Sequence, residues 1–281
     1  MENHIFFELI IFSVSVLGGC IGAVIGLGGA LVITPILSTL LNIPLHYILG
    51  AAMIAIICTS TATSLVSLKS HGLTKEKLGL FLALATAIGA IFGAKVALML
   101  QSKILFLIFG GILVIVALLN IIKRKDSSKS ESSLNNTSHI SEKLQLNDSI
   151  LVNNKLQHYK VSHPILGFIF MGGAGFIGGL LGIGAGIFKV IAMDKIMKIP
   201  FRVSASTSNF IMGITAFAAT SAYYFAGYIN STIAVPVALG TLLGATIGSK
   251  IMPYIPTKVL RAIFFIVVMA GAFQMLLKGL L

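Results

Sequence analysis

Residues 178–193 read GGLLGIGAGIFKVIAM, with five glycines in nine residues followed by Lys189 in an apolar run. A glycine cluster before a lysine suggests a phosphate cradle, but the spacing is wrong. A dinucleotide loop needs G-x-G-x-x-G, and Ile187 stands at the third glycine position after Gly182 and Gly184. A P-loop needs glycine before its lysine and Ser or Thr after it, where this chain has Phe188 and Val190. Nucleotide binding is therefore excluded.

Composition points to a different solvent. Of 281 residues, 57% are hydrophobic and 10% charged, against about 25% charged in soluble domains. Such a chain is an integral membrane protein. Its net charge of +12 is not a nucleic-acid footprint, because Lys and Arg gather in the cytoplasmic loops of membrane proteins. Cys20 and Cys58 lie inside apolar segments and read as small buried side chains. The six histidines lack ligand spacing, so no metal or other cofactor is expected. Glu2 and Glu8 are the charged residues before Leu17-Gly18-Gly19-Cys20. Without a basic n-region the N-terminus reads as a retained helix.

The glycine stretch has a twin. GAVIGLGGALVI (22–33) aligns with GGLLGIGAGIFK (178–189), and NIPLHY (42–47) with KIPFRV (198–203). LGAIFGAKVALML (88–100) aligns with LGATIGSKIMPYI (243–255), and SKIL (102–105) with TKVL (257–260). The offset stays at 155 or 156 residues throughout, which marks an internal repeat. The chain divides into a first repeat (1–122), a polar linker (123–162) that cannot bury a core, and a second repeat (163–281). Each repeat holds about five apolar blocks.

Five crossings per repeat place sixteen basic residues on one side and three on the other, a strong positive-inside bias. Four crossings would split the loops 11 to 8. The expected architecture is an all-α polytopic membrane protein of two inverted repeats, with glycine-led broken or hairpin helices near the midplane. The linker is expected in the cytoplasm and both termini outside. Short, glycine-interrupted segments at matching places in inverted repeats point to a transporter's substrate site.

Three groups of residues could form that site. The glycines Gly26, Gly28 and Gly29, with Gly182, Gly184 and Gly186, can break a helix and offer backbone N–H groups to an anion. They could equally serve close helix packing. The hydroxyl-rich helices after each break carry Thr207, Ser208 and Asn209 in one half and Ser60, Thr63, Ser64 and Ser67 on one face in the other. These suit an uncharged anion site, or hydrogen bonds between helices. Lys189 is a charge at membrane depth, a functional candidate by default; its repeat mate is Ile33. It could instead snorkel or pair with Asp194. Gly89-x-x-x-Gly93 and Gly244-x-x-x-Gly248 read as packing motifs.

On GAVIGLGGALVITPIL (22–37), GGLLGIGAGIFKV (178–190), SASTSN (204–209) and the G-x-x-x-G-x-K segments ending at Lys95 and Lys250, the chain resembles the TauE/SafE family. Thr207 and Ser208 match the family's T-S pair. Gly50, Ala51 and Ala52 stand where the first half would carry it, and Ala185 replaces a family glycine. The resemblance covers both halves and implies a plasma-membrane exporter of sulfite or small organosulfur anions. The expected protein is thus a secondary transporter of a small anion, working by alternating access in the lipid bilayer, with a passive anion or weak-acid channel as the alternative. No catalytic constellation appears, nucleic acid is not a partner, and a homo-oligomer is left open.

Overall fold

The computed structural model describes residues 2–25, 28–71, 75–122, 148–152, 155–159, 161–255 and 257–280. Five helices form the first half: α1 (Glu2–Ile25), α2 (Ala30–Leu40), α3 (Leu45–His71), α4 (Glu76–Met99) and α5 (Ser102–Ile122). The second half has α6 (Pro164–Leu181), α7 (Gly186–Ile191), α8 (Phe201–Phe225), α9 (Ser231–Ile251) and α10 (Thr257–Leu280). A π-helical turn, Ala192–Ile196, extends α7. Stretches within α1, α3, α4, α6 and α9 are long and apolar enough to cross a bilayer.

Local chemistry sets several boundaries. Pro164 opens α6 at a position that needs no N–H donor. Gly182, at φ +67°, closes it with its N–H on the Gly178 carbonyl. Asn230 caps α9 by accepting the Thr232 N–H at 2.9 Å. Lys278 of α10 donates to the Ser38 carbonyl at the end of α2 and to Asn42 Oδ1 at 3.4 Å, a cation placed where a helix C-terminus favours one.

One element departs from an all-helical chain. An antiparallel hairpin, β1 (Asp148–Val152) with β2 (Lys155–Tyr159), pairs Asp148 with Tyr159 and Val152 with Lys155. It lies in the polar stretch expected to lack structure. Ile150, Leu151 and Val152 are strand formers, and two asparagines separate the strands in sequence. Residues 123–147 of that stretch fall outside the described set.

The helices pack through small residues. A Cβ on Gly240, Gly244 or Gly248 of α9 would run into the backbone of Phe12, Val16 or Cys20 of α1. Likewise Gly89 and Gly93 of α4 face the backbone of Gly172 and Phe176 on α6. Both seams are parallel, and each joins one half of the chain to the other. The two G-x-x-x-G pairs are therefore contact surfaces. The central helices α3 and α8 run antiparallel, as Ser60 faces Asn209 and Gly213 while Gly50 faces the Tyr228 carbonyl. The helices α5 and α10 are antiparallel too, with Gly110 on Leu276 and Gly279 on Leu107.

Exchanging the halves maps these contacts onto one another. Gly19 meets the Thr241 backbone as Gly175 meets that of Thr86. Left-handed backbone recurs at Gly28 (φ +80°) and Gly184 (φ +69°), and at Asn42 (φ +48°) and Lys198 (φ +57°).

Candidate functional site

Each half contains a helix that breaks and doubles back. In the first, Gly29 packs on Gly18 and Gly19, and Ile33 on Gly18, so α2 returns along α1. At 11 residues, α2 is about 16 Å long, half a hydrocarbon core of about 30 Å. It therefore cannot cross alone. In the second half Ala185 packs on Gly178, and Met197 on Gly167, so α7 and its π turn return along α6.

The glycines at these breaks are required by geometry. Gly28, Gly182 and Gly184 have positive φ, where a Cβ is strained. Gly29 has ordinary helical φ, but a Cβ there would stand 3.1 Å from the Gly18 and Gly19 backbone. Ala185 adopts φ +50° despite its Cβ, a local strain at the second break. Gly186 starts α7. Gly26 lies outside the described residues.

The breaks converge on one side chain. A Cβ on Gly28 would lie 3.2 Å from Ile56 Cγ1, and one on Gly184 would lie 3.4 Å from Ile56 Cγ2. Ile56 is fully buried about half-way along α3. Beside it is a tightly packed cleft, too narrow to admit a water molecule, lined by Gly22, Gly28, Thr59, Ser60, Thr63, Asn209 and Met212. Its polar wall consists of hydroxyls and one amide, and no described lining residue is a carboxylate. Thr59 and Thr63 turn their hydroxyls back to the carbonyls of Ala55 and Thr59 at 2.9 and 2.8 Å. Ser60 donates to the Asn209 carbonyl. One turn on, the buried Ser64 hydroxyl has no hydrogen-bond partner among the described residues.

The structure thus brings together Gly28, Ser60 and Asn209 from the sequence candidates, with Gly184 behind the Met212 wall, where an added Cβ would lie 3.2 Å from the Met212 sulfur. The pair Thr207 and Ser208 faces elsewhere. Thr207 accepts the Lys75 backbone N–H at 3.3 Å, and Ser208 donates to the Gly186 carbonyl at 3.2 Å. Both are buried hydrogen-bonding groups that hold α8 to its neighbours.

Lys189 neither snorkels nor meets Asp194. It is 0% exposed, and its Nζ donates to Thr215 Oγ1 at 2.8 Å. Thr215 in turn stands 2.8 Å from Thr86 Oγ1 on α4. The sequence reading missed Thr86, Thr215, Met212 and Gly22. The repeat carried a signal for three of them, since Thr215 mates with Thr59, Thr86 with Thr241 and Met212 with Ile56. Among the described residues no three His, Cys, Asp or Glu cluster as a metal site would need.

A family model described as "Sulfite exporter TauE/SafE" matches residues 11–275. Two Bacillus subtilis (strain 168) proteins are similar along nearly their whole length. The "Probable membrane transporter protein YdhB" is 28% identical over 92% of this chain and 96% of its own. The "Probable membrane transporter protein YunE" is 24% identical over 97% and 98%. No solved structure matches the chain.

Proposed function

Because the chain belongs to the TauE/SafE family and is a multi-pass membrane transporter rather than an enzyme, we propose that it carries a small anion, sulfite or an organosulfur compound, by alternating access. The observation behind this is the meeting of two broken helices at Ile56, with the first break lining a hydroxyl-walled cleft beside it. The Asn209 amide and the backbone N–H groups at the break are donors an anion can use, and no described lining carboxylate opposes it. Gly28 brings the break against the cleft, and Ser60, Thr63, Ser64 and Asn209 supply side-chain polarity. The first turn of α2, entered from Gly28 and Gly29, adds the positive end of a helix dipole.

The halves form inverted repeats, which the antiparallel packing of α3 on α8 and α5 on α10 supports. The moving bodies are not the sequence halves. The seams put α9 with α1, α2 and α3, and α4 with α6, α7 and α8. Access alternates when these two exchanged bundles rock about the α3–α8 contact, with Ile56 and Met212 at its centre. The excess of Lys and Arg puts 123–162 in the cytoplasm of a plasma-membrane protein, with both termini outside.

Flux into proteoliposomes tests the reading. Sulfite, thiosulfate or a sulfonate should move saturably, with faster labelled uptake when the far side holds unlabelled anion. Non-saturable flux without this acceleration would mean a channel, and no movement of any of these anions would remove the anion assignment.

A further inference from the structure

Lys189 is the one fully buried lysine, arginine or carboxylate side chain among the described residues. Its Nζ donates to Thr215 Oγ1 at 2.8 Å. Thr215 Oγ1 lies 2.8 Å from Thr86 Oγ1 and 2.7 Å from the Ile211 carbonyl. Thr86 donates to the Ala83 carbonyl at 3.0 Å. This line of groups links α7, α8 and α4. Thr215 follows Met212, a cleft residue, by three positions, so the line begins one helical turn from the cleft.

The surroundings do not supply what a lysine cation needs. An ammonium carries three N–H donors and no acceptor site, and Thr215 is its one hydrogen-bonded partner among the described residues. No titratable residue lies on α6. The α8 helix has Tyr223, which donates to the Gly179 carbonyl at 3.2 Å, exposed Tyr224, and Arg202, whose side chain is outside the described set. The α4 helix has Glu76, Lys77 and Lys95, all exposed. The π turn and the loop after it have half-buried Asp194 and exposed Lys195 and Lys198. None of the described groups pairs with Lys189. An amine without its third proton has fewer unmet donors here, and an unpaired buried charge is the costlier species.

The repeat isolates the lysine as an addition. In the other half the same three places hold Ile33, Thr59 and Thr241, and both threonines bond their own helix carbonyls. The hydroxyls belong to the shared framework, and the amine belongs to this half alone.

We propose that Lys189 is the proton-coupling group of the transporter, taking up one proton as a monovalent anion arrives and releasing it when the anion leaves. This rests on the anion-transport reading above. One N–H bond forms from a solvent proton, giving an ammonium whose charge the anion neutralises. The same bond breaks on the other side of the membrane. Proton and anion travel together, so the cycle is electroneutral. The anion moves outward only where its own gradient exceeds the opposing proton gradient.

The test uses the full chain in proteoliposomes with labelled methanesulfonate, an anion ionised at every pH used. Potential is clamped with potassium and valinomycin. For wild type, an inward proton gradient of one pH unit should give about tenfold accumulation, the ratio that one-to-one coupling allows, whatever the clamped potential. Lys189→Met should lose that accumulation, and its remaining flux should follow the potential. Lys189→Arg holds a proton permanently; it should lose net accumulation while exchange of labelled for unlabelled anion stays measurable. Wild-type accumulation ratios in Lys189→Met overturn the proposal, whether or not the arginine variant inserts. Wild-type transport that ignores the pH step overturns the coupling alone. Failure of wild type to move methanesulfonate, sulfite or thiosulfate overturns the anion reading and the coupling with it.

Discussion

Gly184 has a left-handed backbone at φ +69°, with the Met212 sulfur 3.2 Å from where a Cβ would sit. Gly184→Ala should cost about 1–2 kcal/mol from the left-handed conformation alone and push Met212 into the cleft. Reduced flux and a lower melting temperature in detergent would register both effects. Ala185 is the control, because it already holds φ +50° with a side chain; Ala185→Gly should insert and transport. At Lys189 the relevant quantity is a coupling. Thr215→Val removes the described acceptor of a buried donor, which costs about 1–3 kcal/mol. In Lys189→Met the same change should cost less, since no amine is left to orphan. Melting temperatures of both single variants and the double variant close that cycle, and additive effects would show that the 2.8 Å contact carries no energy.

Among the elements, the glycine seams decide whether the helices assemble. A Cβ at Gly244 would enter the Val16 carbonyl, so Gly244→Val must pull α9 away from α1. Gly89→Val should separate α4 from α6 in the same way. Both should reduce the yield of monodisperse protein on size exclusion, and a normal yield would show that the seam gives. These seams were legible in sequence as G-x-x-x-G, and the breaks were legible as glycine clusters repeated at a fixed offset. What sequence left hidden was direction. Thr207 and Ser208 stood out as polar residues opening a helix, yet their side chains point at Lys75 and Gly186, away from the cleft. A helix in lipid has little polar-apolar alternation to reveal its inner face, so composition identified the helix without its orientation. Lys189 stood out for the same reason it was ambiguous. Its partner Thr215 comes from α8 and, through Thr215, Thr86 comes from α4, and no local pattern announces hydrogen bonds across 26 and 129 residues. The hairpin at 148–159 was missed because the polarity around it outweighed two short runs of strand formers.

For the whole molecule, the proposed sidedness rests on charge, and reporter fusions measure it. A fusion at Ser132 should report cytoplasm and one at Asn230 the exterior; the reverse result at either would overturn the inverted arrangement. The exchanged seams also dictate an order of assembly. Val16 leaves the ribosome 228 residues before Gly244, against which it packs. Until α9 is made, Gly19 of α1 lacks the Thr241 backbone that covers it. The first half therefore waits in the membrane unfinished, and a chain truncated after Phe225 should be cleared by membrane proteases. Supplying residues 226–281 from a second message would give α1 its partner late, as ordinary synthesis does.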